Sequence, residues 1–404
     1  MVNSVSFGNF LLGVLTSGSM QHLWGLIRAV QLIVLTALME ITFPGNAAEF
    51  YKRAILFASM DILSGEELYE QIFSFRRTPP LSAKFEEMDF RSLTFIMNSG
   101  SFFIILILIF LEPLARVAIT GLCLLLKRFK FMREIGIYFH TPSKFTLVRE
   151  GSLRLFMESY FEICMCSFLN LVAFFWAPSF SSNFKTFNDS LNSVLALAGL
   201  VALFAFPLWG FLKAMTLLRN PKRVYPDLQA LLFEEFDTSH AAGSLYQILF
   251  LTRRVALVAI LVLMKDEVFF QCMLVNHLSL ANFIYLTQFQ PFKSERANRL
   301  EAFNEFTVFL SSTVINSFLN AGSSLTFREF SGWLLVGVAC LNIGVNIAGV
   351  AFEMFKVLLT DVRDWLIKRS LKQEMAAELS SWAAFSRAHP TVSLGRYHFI
   401  IQEQ

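Results

Sequence analysis

Val194-Leu-Ala-Leu-Ala-Gly-Leu-Val-Ala-Leu-Phe-Ala-Phe-Pro-Leu-Trp-Gly-Phe-Leu212 contains no charged residue. The hydrocarbon core of a bilayer is about 30 Å thick and a helix rises about 1.5 Å per residue, so about 20 apolar residues make one crossing. Inside lipid the backbone must bond to itself, as a helix or a closed barrel, and the run shows no period-2 alternation. It predicts a membrane-spanning helix over 190–214. Runs of the same kind recur near 20–42, 92–118, 152–177, 244–264, 267–288, 303–323 and 332–357. Hydrophobic residues make up 55% of the chain and charged ones 16%, at a mean hydropathy of +0.54, against about 25% charged in soluble domains. The fold class that follows is all-α, a polytopic transmembrane helical bundle of about eight spans. A shorter apolar segment at 4–19 fits a signal peptide poorly and stands as a possible ninth, remnant span.

Basic residues favour the cytoplasmic side of a membrane. Lys127, Arg128, Lys130, Arg133, Lys144, Arg149 and Arg154 crowd the stretch 126–154, which predicts a cytoplasmic loop. Alternation then places Lys213, Arg219, Lys222 and Arg223 inside, with Lys293, Arg296 and Arg299, and finally the C-terminal tail. The expected organisation is a transmembrane domain over 20–358, an extracellular or lumenal loop at 43–91, and a cytoplasmic amphipathic tail at 359–404. A multi-pass protein of the plasma membrane is the matching location. The net charge of +3 is an ordinary loop bias and points to no nucleic acid.

Cys123, Cys164, Cys166, Cys272 and Cys340 all fall in or near predicted spans, which leaves no disulfide-stapled ectodomain in this stretch. Cys164 and Cys166 point to different helix faces, so packing explains them better than a metal site. No Walker loop, GxGxxG, HExxH or GxSxG occurs, and neither an enzyme activity nor a cofactor is expected.

Ionisable groups at membrane depth are costly and mark candidate sites. Glu158 and Glu162 lie four apart on the third span, Arg253 and Arg254 at a matching depth on the fifth. The acidic pair is expected to neutralise an arginine, with Asn276, His277 and Asn282 joining near the midplane. Two readings stay open: a salt bridge that fixes helix register, and a polar layer lining a path for Ca²⁺ or monovalent cations. Glu112-Pro113 with Arg116 reads as an interfacial anchor, and Asn342 and Asn346 as polar glue on a close-packing face. The connection 290–306 reads as an interfacial helix whose polar face, with Asn298, Glu301 and Glu305, is solvated, holds a cation or docks on the basic 126–154 loop.

The order of motifs resembles the TRP-like C-terminal transmembrane domain of large protist surface proteins, which is distantly similar to fungal TRP-like membrane proteins and polycystin-type channels. Trp24-Gly-Leu-Ile27, Gln31-Leu-Ile-Val34, Phe43-Pro-Gly-Asn-Ala47, Asp61-Ile-Leu63 and Asn98-Ser-Gly-Ser101 carry the first half of it. Arg253-Arg254, Pro291-Phe292-Lys293, Asn298, Glu301 and Asn304-Glu305 carry the second. The resemblance implies an N-terminal cysteine-rich ectodomain, a first span and cation-channel activity; a homo-oligomer is a further, separate expectation. Against a pore of that type stand the short connections Lys265-Asp-Glu267 and Asn320–Glu329, neither long enough for a pore helix with a filter. A membrane anchor or receptor scaffold of a large surface protein is the alternative.

Overall fold

The computed structural model describes residues 30–58, 65–72, 78–99, 102–125, 152–178, 180–219, 232–233, 235–320 and 322–388. The segment 4–19, the first motif Trp24–Ile27, the motif at 61–63, Gly100 and Ser101, the basic residues at 127–149, Lys222 and Arg223, and the tail beyond 388 lie outside them, as do the side chains of Glu112, Pro113, Arg116, Cys123 and Glu158. Two units are distinguished, one of residues 24–346 and one of 1–23 with 347–404.

Every regular element among the described residues is helical, apart from one antiparallel bridge between Phe236 and Phe292. In chain order these are α1 (30–35), α2 (Gly45–Ala58), α3 (Gly65–Ile72), α4 (Ala83–Glu87), α5 (Phe95–Asn98), α6 (Phe102–Leu125), α7 (Ser152–Glu158), α8 (Tyr160–Trp176), α9 (Phe187–Arg219), α10 (Ala241–Leu263), α11 (Val268–Phe289), α12 (Glu295–Asn316) and α13 (Leu325–Ala388). Among the described residues four helices are long and apolar enough to cross a membrane: α9, α10, α11 and the stretch Leu325–Thr360 of α13. Phe102–Leu111 and α8 are apolar but shorter. Val201, Phe204, Leu208 and Leu212 on α9, like Ile107, Leu108 and Leu114 on α6, are exposed. An apolar face of that extent belongs against lipid. The described residues thus make an all-helical fold whose four long apolar helices suit a membrane.

Three of the expected spans take a different form: the stretch 92–118 divides into the short α5 and α6, which begins at Phe102 and runs on to Leu125. The stretch 152–177 divides at Ser159 (φ −80°, ψ 3°), though Ile163 N–H still reaches the Ser159 carbonyl (2.9 Å), so the chain bends without breaking. The stretch 303–323 is the apolar end of α12, which starts eight residues earlier in a polar run and closes in a 3-10 turn at Ser317–Leu319.

In unit 24–346 the bundle core and the segment 43–99 share one apolar cluster, in which Tyr51, Phe85, Met88 and Leu93 are buried beside Met165, Leu169, Val258 and Ile315. The long loop is therefore folded onto the helices and not a separate domain. Phe43 packs edge-on against Tyr51 and Phe318, Asn46 Nδ2 donates to the Glu329 carbonyl (3.0 Å), and Arg328 donates to the Thr42 carbonyl. The Tyr51 hydroxyl meets Thr36 Oγ1 at 3.2 Å, and burial pushes the phenol above its ordinary range. In the other unit, residues 347–388 continue α13.

α8, α9 and α10 pack against one another, and a proline decides how α8 meets α9. Pro207 stands inside α9 and has no N–H for the carbonyl of Leu203, four residues back. The hydroxyl of buried Tyr160 donates to that carbonyl at 2.7 Å. One buried polar group on each helix is thereby satisfied by the other. Tyr160→Phe strands the Leu203 carbonyl and is expected to cost about 1–3 kcal/mol, read as a lowered melting temperature of the purified chain in detergent. An unchanged melting temperature contradicts that account.

Candidate functional site

Arg253 and Arg254 are consecutive on α10, so their side chains leave the helix about 100° apart. Both are buried, at 5% and 1% exposure. Arg253 lies about 18 Å from the start of the helix and about 15 Å from its end, near mid-depth. Its Nη1 pairs with Glu305 Oε1 of α12, and its Nη2 stands 3.5 Å from Ser279 Oγ of α11. Glu305 is 1% exposed. Arg254 lies over the Phe250 ring of its own helix at 4.4 Å. Arg253 thus serves the contact with α11 and α12.

Beside the ion pair lies an amide network between α12 and α13. Asn304 Oδ1 accepts from Asn342 Nδ2 (3.1 Å) and from Asn346 Nδ2 (2.7 Å), while Asn304 Nδ2 reaches Glu301 Oε2 (3.2 Å). Asn342 also donates to Thr307 Oγ1 at 2.7 Å. Asn304, Asn342 and Asn346 are all buried, with most of their hydrogen-bonding capacity used among themselves. This is interhelical polar glue of the kind expected from Asn342 and Asn346, with Asn304 as its centre.

At the α11–α12 connection, Phe292 N–H donates to Asn298 Oδ1 and Asn298 Nδ2 returns to the Phe292 carbonyl, both at 2.9 Å. The Pro291 carbonyl accepts from Asp237 N–H (2.8 Å), and Lys293 N–H donates to the Glu235 carbonyl (3.1 Å), which pins the segment before α10 to the start of α12. Phe292 sits between Phe236 and Tyr246, whose ring stacks on Tyr285 at 6.0 Å. Gly243 makes the junction possible, since a Cβ there would stand 1.9 Å from the Asp237 carbonyl oxygen. Hydrogen bonds from Ser239 hold the exposed Asp237 carboxyl below its usual range. Its contribution is present above the unfolded pKa and fades as pH falls through the lower folded value.

Several sequence expectations change. Among the described residues the acidic partner of Arg253 is Glu305, from the helix expected to lie at the interface. Glu158 ends α7, its side chain outside the described residues, and Glu162 is half-buried on α8. Of the polar face of 290–306, Asn298 and Glu305 are buried and Glu301 is half-buried, because α12 continues that face into the bundle. Asn276 and His277 stand apart from the charged layer. Asn276 Nδ2 reaches Thr313 Oγ1 (3.2 Å), and exposed His277 bonds through Nδ1 to the Met273 carbonyl (2.7 Å). The inner stripe of α11 runs instead through Val275, Ser279, Asn282 and Leu286. Sequence reasoning missed Ser279, Tyr246 and Thr307; the period of that buried stripe was the available signal for Ser279.

The connection between α10 and α11 is a tight turn over Met264–Glu267, with Lys265 paired to Asp266 at 2.9 Å. The described residues between α12 and α13 form one 3-10 turn and a bend at Asn320, whose Oδ1 accepts from Gly322 N–H (3.0 Å). Neither holds a re-entrant helix. Among the described residues no group of three or more His, Cys, Asp or Glu side chains is placed to hold a metal ion. No family model, no curated protein and no solved structure matches this chain.

A buried ion pair adds little over an apolar pair of equal volume, but removing one partner strands a charge, at about 3–5 kcal/mol. Arg253→Met and Glu305→Gln are each expected to destabilise the chain by about that amount. The double variant Arg253→Met/Glu305→Leu regains most of the loss. Additive losses in denaturant unfolding of the detergent-solubilised chain refute the coupling.

Gly243→Ala is expected to loosen the junction at Pro291, at about 1–3 kcal/mol, because the obstructing atom is backbone. Proteolysis at the α11–α12 connection reads it directly; cleavage no faster than in the wild type counts against the strain.

Proposed function

We propose that this chain is a membrane anchor or receptor scaffold of about eight spans, seated in the plasma membrane with its C-terminus in the cytoplasm, and without a conducting path of its own. The closed state of the mid-depth charges carries this reading. Arg253 and Glu305 pair in the bundle interior, and Asn304, Asn342 and Asn346 bond mainly to one another and to their neighbours. A conducting layer keeps such groups turned to water. The span count draws support from α6, the α7–α8 pair, α9, α10, α11, α12 and α13, each of which overlaps one of the eight apolar runs, and from α1, whose residues 30–35 lie within the remaining run. Lys213, Arg219, Lys293, Arg296 and Arg299 support the orientation through the preference of basic loops for the cytoplasm. The resemblance to the membrane domain of protist surface proteins suits a module that holds an ectodomain.

One observation favours a second reading, a TRP-like cation channel subunit that conducts Ca²⁺ or monovalent cations between copies. His277 is exposed at mid-length of α11, beside the Asn276–Thr313 pair. Polar groups at that depth are costly against lipid and are covered when another copy packs there. Recordings from the purified, folded chain in planar bilayers separate the two. Silence in the wild type and in Glu305→Gln is the outcome expected of the scaffold. Discrete cation currents that change with His277→Leu overturn it in favour of the channel subunit.

A further inference from the structure

Where α8 ends and α9 begins, the chain encloses a cavity of about 290 Å³. Its walls are the last turns of α8, parts of the segment 78–94 and the first turns of α9. The volume lies near the lower end of the ~300–1,000 Å³ usual for small-molecule sites. Asn170 and Asn192 line it, and each is more than nine-tenths buried. Asn170 donates its amide N–H to the Leu93 carbonyl (3.2 Å), and Asn192 accepts with its amide oxygen from Ile96 N–H (3.1 Å). The opposite end of each amide, an acceptor on Asn170 and a donor on Asn192, has no partner among the described residues and borders the cavity. Amide ends that open into a cavity are met there by water or a ligand.

The charge of the occupant follows from the remaining walls. Asp189 is the ionisable side chain among the described lining residues, and Trp176 adds an indole ring. The first turn of α9 offers no anion site, because Asp189 N–H and Ser190 N–H are taken by Thr186 Oγ1 (3.1 Å) and the Thr186 carbonyl (3.0 Å). A carboxylate and an aromatic ring together favour a cation, and the amide ends favour one that also carries a hydroxyl or carbonyl. We infer that this cavity binds a small organic ammonium compound, either free or as the headgroup of a lipid, with Asp189 countering its charge and Asn170 and Asn192 holding its polar end. The site stands whether or not the chain conducts. On the orientation proposed above it opens to the non-cytoplasmic side.

Choline is the probe, titrated calorimetrically into the purified full chain in phosphatidylglycerol nanodiscs. Saturable binding is expected, weaker by about tenfold or more for Asp189→Asn and for the neutral isostere in which carbon replaces the ammonium nitrogen. Repetition in phosphatidylcholine discs separates the sources. Loss of choline binding there identifies the lipid headgroup as occupant, and retention identifies a free solute. No saturable binding to folded chain in phosphatidylglycerol overturns the site, as does equal affinity for the isostere or an unchanged affinity in a folded Asp189→Asn. If that variant melts lower than the wild type, the isostere comparison on the wild-type chain decides alone.

Discussion

A guanidinium near the middle of a membrane-length helix has no water to solvate it and loses no proton, so the fold around Arg253 must supply a counter-charge. Glu305 supplies it, and much of the geometry of this bundle follows. For the carboxylate to arrive at that depth, α12 has to carry a polar face well into the bundle. The Pro291–Asn298 turn sets where that helix begins, and the bridge between Phe236 and Phe292 ties its start to the segment before α10. The ion pair is a constraint on register more than a source of stability.

The same economy governs the other polar groups. Pro207 frees a carbonyl that Tyr160 takes, and Asn342 and Asn346 converge on Asn304. Each of these contacts joins two helices, so the apolar surface that covers them packs in a single arrangement. Lipid tails are as apolar as leucine and cannot drive helices together, which leaves close packing and such polar contacts to decide the partners. At the α8–α9 end the amides of Asn170 and Asn192 each keep one end unsatisfied beside a cavity.

Arg253 illustrates what patterning can say about function. Its depth and cost were legible because they depend only on its position in an apolar run. Its partner was not, since both Glu162 and Glu305 stand at suitable depths and the choice rests on which helices become neighbours. His277 shows the opposite error. Its place in an apolar run suggests the midplane layer, yet rotation of α11 turns it outward and turns Ser279 and Asn282 in.

The sequence by itself determined that this is a helical membrane protein, because the length of an apolar run and the demand for internal backbone hydrogen bonds are local properties. It also determined that Arg253, Arg254, Asn342 and Asn346 need partners, because burial of polar groups is costly wherever the helix goes. Only the tertiary structure decided that Glu305 answers Arg253, that α12 carries its polar face inward, that Tyr160 meets the carbonyl freed by Pro207, and that a polar cavity opens beside Asn170. Those outcomes depend on the rotation and neighbours of each helix, which arise from packing across residues far apart in the chain.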